Sequence, residues 1–344
     1  MLAARAQRYA EARKLLRGVA EPPDLAPRIA FHRLQAAIAS GLGEGGVAAD
    51  QMLAALALAP DDPGLLLASA AAELQAGRLE QALAHAQQAS ARANTAQAAA
   101  LTGDIQEKRG AFVEAAQAYR DAVRLAPVVE QYRIALALEF VQHQSFPQAI
   151  EVLEAALPAF PQSAKLRALL GVARYATVDL DQAMQALTDA VALNPALEPA
   201  YVYLARIALE SSSVPPARTV DALCRWNAVV CGAMRLRAAR ESNNPALRAE
   251  AIASLRKAPP DNPVAHCELG RAYEWSREWQ TAREQMESCV KLDPSPPNHY
   301  RLGLIYSQLG LPGLARKQME LRTESLRKLS ADAARRLAAV EAFR

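Results

Sequence analysis

The chain has 344 residues, of which 51% are hydrophobic, 22% charged and 5% aromatic, with 39 basic against 36 acidic groups. This ordinary usage excludes a wholly disordered chain, and a net charge of +3 is too balanced to call for nucleic acid or an anionic membrane as partner. Four cysteines in this length exclude a disulfide-stapled miniprotein. The apolar share comes largely from Ala and Leu, strong helix formers, so the composition predicts helices rather than sheet. No window approaches the ~18 consecutive apolar residues of a membrane span. The opening MLAARAQRYAEARKLLRGVAE carries arginines throughout and is not read as a secretory signal peptide.

In chain order, residues 1–24 read as an incomplete first repeat, in which Tyr9, Ala12, Leu16 and Val19 mark a second helix whose first helix is mostly missing. The helical stretch FHRLQAAIAS then runs into the glycines of Gly41–Gly46, and Ala48, Met52, Ala55 and Pro60 mark the next helix. Ala82, Ala86 and Ala89 mark another, ending near Asn94. From there the self-similarity is explicit. Similar segments end at Pro127, Pro161 and Pro195, at intervals of 34 residues, and a fourth ends at Pro294, 99 residues further on, or three units of about 33. Their first halves carry Thr102 with Gly103, Leu136 with Ala137, Leu170 with Gly171 and Leu269 with Gly270; their second halves open on Ala115, Ala149, Ala183 and Ala282. Residues 198–262 are degenerate: a helix with Tyr201, Leu204, Ala205 and Ala208, the turn SSSVPPA, a restart at Ala217, then Leu236, the turn SNNP and AEAIASLRKAPP. A last copy carries Leu302, Gly303, Tyr306, Ala315 and Met319, and the polar, Arg-rich stretch 317–344 reads as a solvating terminal helix.

The period and pattern resemble the tetratricopeptide repeat (TPR), a helix–turn–helix unit with the pattern W-x2-L-G-x2-Y, A-x3-F, P. The best copy has His266 in the Trp slot, then Leu269, Gly270, Tyr273, Ala282, Met286 in the Phe slot and Pro294. The resemblance covers nearly the whole chain and points to a bacterial protein. It implies an all-α, right-handed superhelical solenoid of about nine antiparallel helix pairs, in one continuous array over residues 1–344. Small residues in the Gly and Ala slots let paired helices approach, the larger slots fill the space between repeats, and Pro begins the next unit because it cannot continue a helix. Gly77, Gly110 and Gly310 fall in the turns between paired helices, where a positive φ is cheap only for Gly.

Other motifs are better explained by this architecture than by chemistry. Gly41-Leu42-Gly43-Glu44-Gly45-Gly46 satisfies G-x-G-x-x-G, but a helix rather than a strand precedes it, so it reads as a turn. Cys224 and Cys231, if they share one helix, lie ~10 Å apart along its axis, too far for a disulfide. Cys267 and Cys289 belong to the two helices of one repeat. They are either two buried thiols or a bridge, and a bridge would imply an oxidising compartment. In His266-Cys267-Glu268, neighbours on a helix point about 100° apart and cannot all ligate one ion; His266 reads as a core residue. There is no H-E-x-x-H, Walker loop or G-x-S-x-G. The expectation is therefore no enzyme, no catalytic residue, no metal and no cofactor. The basic residues after Lys317 are interleaved with acids and read as a solvated face.

In a TPR array the first helices of successive repeats line the concave surface. The lysine- and asparagine-bearing clamp by which some such domains hold a peptide carboxylate is absent: its slots hold Ala100 and Asp104, Ile134 and Leu138, Ala168 and Val172. The C-terminal half is richer in the aromatic and arginine side chains that dominate binding surfaces. The expected groove residues are Tyr175, Tyr203, Arg206, Arg271 and Trp275. The resemblance implies a noncatalytic interaction scaffold holding a protein or peptide partner, with no nucleic acid and no membrane span; the alternative is the repeat region of a larger or exported protein whose activity lies outside this chain. Localisation is cytoplasmic by default, and periplasmic or exported if the true start lies upstream.

Overall fold

The computed structural model describes residues 2–210 and 215–341, in which nineteen α-helices and no strand occur. The chain divides into two compact units, residues 1–179 and 180–344. The first holds α1 (Leu2–Leu16), α2 (Leu25–Gly41), α3 (Gly45–Leu58), α4 (Pro63–Gln75), α5 (Leu79–Arg92), α6 (Ala96–Lys108), α7 (Phe112–Leu125), α8 (Glu130–Gln142), α9 (Phe146–Ala156) and α10 (Ala164–Ala176). The second holds α11 (Leu180–Leu193), α12 (Glu198–Glu210), α13 (Ala217–Trp226), α14 (Ala228–Glu241), α15 (Pro245–Leu255), α16 (Pro263–Trp275), α17 (Trp279–Leu292), α18 (Pro296–Gln308) and α19 (Pro312–Glu341). The fold is a helical solenoid of repeats, with even-numbered helices opening each pair.

Among the described residues the turn inside a pair is built one way. Two residues beyond a first helix the backbone turns left-handed: at Gly43, Gly77, Gly110 and Gly310, but also at Gln144 (φ 57°), Val178 (φ 65°), Asn243 (φ 49°) and Arg277 (φ 60°). The next amide then reaches back five residues, as in Arg78 N–H to the Glu73 carbonyl at 2.8 Å and Glu278 N–H to Tyr273 at 2.9 Å, the closure of a Schellman motif. The Gly41–Gly46 motif is such a turn between α2 and α3, as its sequence context predicts. Starts are fixed by caps: Asp62, Thr95, Ser163 and Asn262 each accept from the amide three residues on, at 2.9–3.2 Å.

Alanine and glycine set the helix spacing. Ala82, Ala115, Ala122, Ala149, Ala156, Ala183, Ala190 and Ala282 are fully buried. A Cβ on Gly103 would fall 2.5 Å from the Tyr119 ring, and on Gly270 2.5 Å from Met286 Sδ. On Gly303 it would fall 2.7 Å from Met319 Cε. Each partner lies sixteen residues on, so one crossing recurs between α6 and α7, α16 and α17, and α18 and α19.

Three sequence expectations are revised. First, α1 stops at Leu16, and Val19 lies in the exposed connection beyond it rather than on the helix. The helix docks through the Tyr9 ring, against which a Cβ on Gly41 would fall at 2.4 Å, and through Arg13 Nη1 on Glu44 Oε1 at 2.7 Å. Second, Cys224 and Cys231 are bridged, with Cα atoms 4.4 Å apart. They do not share a helix: α13 ends at Trp226, α14 starts at Ala228, and the extended Asn227 between them (φ −146°, ψ 117°) folds one helix back on the other. Third, His266 is only half-buried and hydrogen-bonded rather than simply packed. Its Nε2 lies 2.9 Å from the Pro260 carbonyl and its Nδ1 2.9 Å from Gln285 Oε1. The same His–Gln pair, nineteen residues apart, joins His32 to Gln51 and His299 to Gln318 at 2.9 and 2.7 Å.

The choice left open for Cys267 and Cys289 resolves as a bridge, Cα to Cα 4.9 Å. Cys289 occupies the buried-alanine slot of α17, where paired helices come closest.

Candidate functional cleft

The first helices of the second unit end at Glu210, Glu241, Trp275 and Gln308. The step from Glu210 to Glu241 is 31 residues, three short of the 34 that separate Glu241 from Trp275. The deficit falls on α13, which has 10 residues where α11 and α17 have 14. Allowing for it, Arg206, Arg237 and Arg271 hold one slot in three successive first helices.

A cleft of about 790 Å³ opens on these helices. Its lining comes from Leu209 of α12, from Leu236, Arg237, Arg240 and Glu241 of α14, and from Glu268, Arg271, Glu274 and Trp275 of α16. Arg277 and Trp279, at and just beyond the turn after α16, and Arg301 of α18 complete it. α16 presents this face because Ala265, Leu269, Gly270 and Tyr273 are consumed by its packing, which leaves Arg271, Glu274 and Trp275, with the small Ala272 on the cleft floor, toward the opening.

Five arginines meet three glutamates in this lining, and their roles divide. Arg237 is structural in part: Nη1 donates to the Ala208 carbonyl at 2.6 Å and Nη2 to the Leu209 carbonyl, closing the C-terminus of α12. Burial pulls its pKa below the ordinary guanidinium range, with Glu268 opposing that effect and Arg271 adding to it. Arg271 Nη1 donates to the buried Glu268 at 2.6 Å, while its Nε is buried without a hydrogen-bond partner. Arg301 Nη1 donates to Glu274 Oε2 at 2.9 Å and ties α18 to α16. Arg240 and Arg277 are exposed. Trp275 is half-buried, its ring 4.9 Å from the Arg248 guanidinium, whose Nη1 donates to Ser276 Oγ at 2.8 Å. The cleft thus offers guanidinium donors and indole area together, a combination suited to carboxylate-bearing and apolar groups at once.

The predicted residues are distributed as follows. Arg271 and Trp275 line the cleft. Tyr203 and Arg206 sit on α12 outside that lining, with the Arg206 guanidinium 6.0 Å from the Tyr203 ring centroid. Tyr175 is half-buried on α10 of the first unit. Sequence reasoning missed Arg237, Arg240, Trp279 and Arg301. The signal for both arginines of α14 was present, since a 34-residue step back from Arg271 reaches Arg237 and a 34-residue step on from Arg206 reaches Arg240, but the surrounding repeat looked too degenerate to carry a register.

Among the described residues no group of three or more His, Cys, Asp or Glu is placed to hold a metal ion, and no helix is long and apolar enough to cross a membrane. The first unit carries a different polar cluster. Tyr119 Oη donates to Asp104 Oδ1 at 2.8 Å, and burial raises its pKa. Glu139 is buried with both carboxylate oxygens lacking hydrogen bonds; the His143 imidazole lies beside it, Nε2 to Oε1 3.6 Å.

Residues 67–129 and 134–198 match the family profile described as tetratricopeptide repeat. Among solved structures, the C-terminal part of a TPR repeat-containing protein from Cytophaga hutchinsonii aligns with a TM-score of 0.52 and 16% identity, over 75% of this chain and 94% of that one. A tetratricopeptide repeat protein from Parabacteroides merdae aligns at 0.46 and 13% identity, over 83% and 98%. A thermophilic TPR protein from Thermus thermophilus aligns at 0.40 and 19%, over 53% and 99%. No curated protein sequence matches the chain.

Proposed function

We propose that the chain, which carries the tetratricopeptide-repeat profile over residues 67–129 and 134–198 and a helical solenoid fold beyond them, is a noncatalytic protein-interaction scaffold that holds a peptide segment or partner helix against its first helices. The observation that carries the reading is the second-unit cleft, where Arg271, Arg240 and Arg277 stand beside Trp275 and Trp279. The ligand this favours is an extended or helical segment carrying acidic and apolar side chains: carboxylates meet guanidinium forks, and apolar groups meet indole area. Tyr203, Arg206 and, in the first unit, Tyr175 are proposed as further contact positions on first helices. The array itself is proposed to be continuous, because first helices end at Gln142, Ala176 and Glu210, a spacing of 34 that does not change across the unit boundary.

The test is a double substitution, Arg271→Ala with Trp275→Ala, in full-length protein. Binding residues of this kind each contribute on the order of 2 kcal/mol, so capture of the native partner should fall at least tenfold. Helicity by circular dichroism should fall only slightly, because the truncation removes one ion pair, to Glu268, from a repeat that is packed on both neighbours. Undiminished capture would remove the cleft from the proposal.

A further inference from the structure

All four cysteines of the chain lie in the second unit and all are bridged. The two bridges sit in different surroundings. Cys267–Cys289 closes a span of 22 residues inside one helix pair, and both cysteines are buried in the core that runs from Leu236 to Ala315. Cys224–Cys231 closes a span of 7 residues across the elbow between α13 and α14; Cys231 is buried, and Cys224 is half-exposed and gives the bridge its one accessible side. This elbow is where the repeat is three residues short and where a single residue, Asn227, joins two helices.

We infer that the Cys224–Cys231 bridge is a redox-controlled clasp on one wall of the cleft. α14 carries that wall: Leu236, Arg237, Arg240 and Glu241 all line the cleft, and Arg237 also holds the last carbonyls of α12. With the bridge closed, α13 is pinned against the start of α14. With it open, α13 keeps its anchors on α11, the Thr219–Thr188 hydrogen bond at 2.9 Å and the buried Leu223, while the elbow itself is held by Asn227, whose side chain accepts from the amides of Val229 and Val230 at 2.9 and 3.1 Å, and by the stack of Trp226 on Tyr201. A short helix so held opens locally more readily than the core helices do. The clasp stands on the bridge and the elbow alone; its effect on partner binding rests on the function proposed above.

The chemistry is thiol–disulfide exchange. A thiolate of a dithiol reductant attacks one bridge sulfur and displaces the other as thiolate. The reductant's second thiol then breaks the mixed disulfide and closes a cyclic disulfide. Two electrons and two protons thereby pass to Cys224 and Cys231, and a disulfide oxidant reverses the reaction. Access decides which bridge reacts first, and the half-exposed one is favoured over the buried one.

The experiment titrates oxidised full-length protein with dithiothreitol. Samples are alkylated, the labelled cysteines are located by peptide mass spectrometry, and amide hydrogen exchange is followed on parallel samples. Cys224 and Cys231 should label at least tenfold faster than Cys267 and Cys289. At that first step exchange in α13 and α14 should rise tenfold or more while α16 and α17 stay protected. The double variant Cys224→Ser, Cys231→Ser should show the same exchange pattern without reductant. Equal labelling rates would overturn the inference, as would unchanged exchange in α13 and α14 after selective reduction. Loss of protection throughout α12 to α18 in the variant would also overturn it, since the bridge would then be a structural staple.

Discussion

Val178 holds a left-handed backbone at φ 65° with its side chain 76% exposed, so it carries steric strain and little packing to offset it. For a β-branched residue this conformation costs about 1–2 kcal/mol, whereas glycine adopts it freely and loses roughly 0.5–1 kcal/mol through the greater freedom of the unfolded chain. Val178→Gly should therefore stabilise the protein by about 0.5–1 kcal/mol, read as a higher urea midpoint with unchanged slope. Glu139 is a different kind of local conflict. Burial raises its pKa above the ordinary 4.5; His143 opposes this, and Glu107 adds to it. A carboxyl raised in the folded state binds its proton more tightly there than in the unfolded chain. The stability it contributes is full below the ordinary value and is lost as pH rises from there through the raised one. Glu139→Gln removes that loss: its urea midpoint should exceed wild type at pH 7, and the gap should close by pH 4. A gap of equal size at both pH values would assign the effect to something other than the buried charge.

At the scale of helices, what was legible in the sequence follows from what each slot demands. Slots that need a small residue are nearly invariant in chemistry along the chain, so Gly103, Gly270, Ala115 and Ala282 reveal the crossings directly. Slots satisfied by many residues do not announce themselves. The left-handed turn is glycine in four described repeats but Gln144, Val178, Asn243 and Arg277 in four others, and no residue type links these. The Cys224–Cys231 bridge was illegible for a stronger reason: the sequence argument assumed one helix, and a single extended residue, Asn227, breaks it. Arg237 stands one full 34-residue step before Arg271 and was hidden only because residues 198–262 carry too few of the repeat's small-residue slots. Half of the cleft was thus readable from α16, and the other half only once α14 had its register. The crossings themselves can be tested. Gly270→Leu should overpack α16 against α17 and cost about 1–3 kcal/mol, seen as a lower unfolding midpoint by circular dichroism. An unchanged midpoint would mean that the crossing can open to admit the side chain.

Over the whole molecule, the repeat pattern predicts how far a local injury travels. In a solenoid each helix pair packs on its neighbours in sequence, so stability is close to a sum of repeat and nearest-neighbour contributions. The polar pairs follow the same rule. Arg237 reaches α12, Arg301 reaches α16 and Ser163 bonds Glu130, all links to the adjacent repeat. An overpacked crossing in the first unit should then weaken that unit and leave distant pairs intact. Gly103→Leu is the suitable injury, because a Cβ added there would meet the rigid Tyr119 ring rather than a flexible methionine. Hydrogen exchange should rise in α6, α7 and α8, while α16 and α17, five repeats away, retain wild-type protection. If protection in α16 and α17 falls in step with α6 and α7, the chain unfolds as one cooperative block, and local openings such as the one inferred at the α13–α14 elbow would have no independent existence.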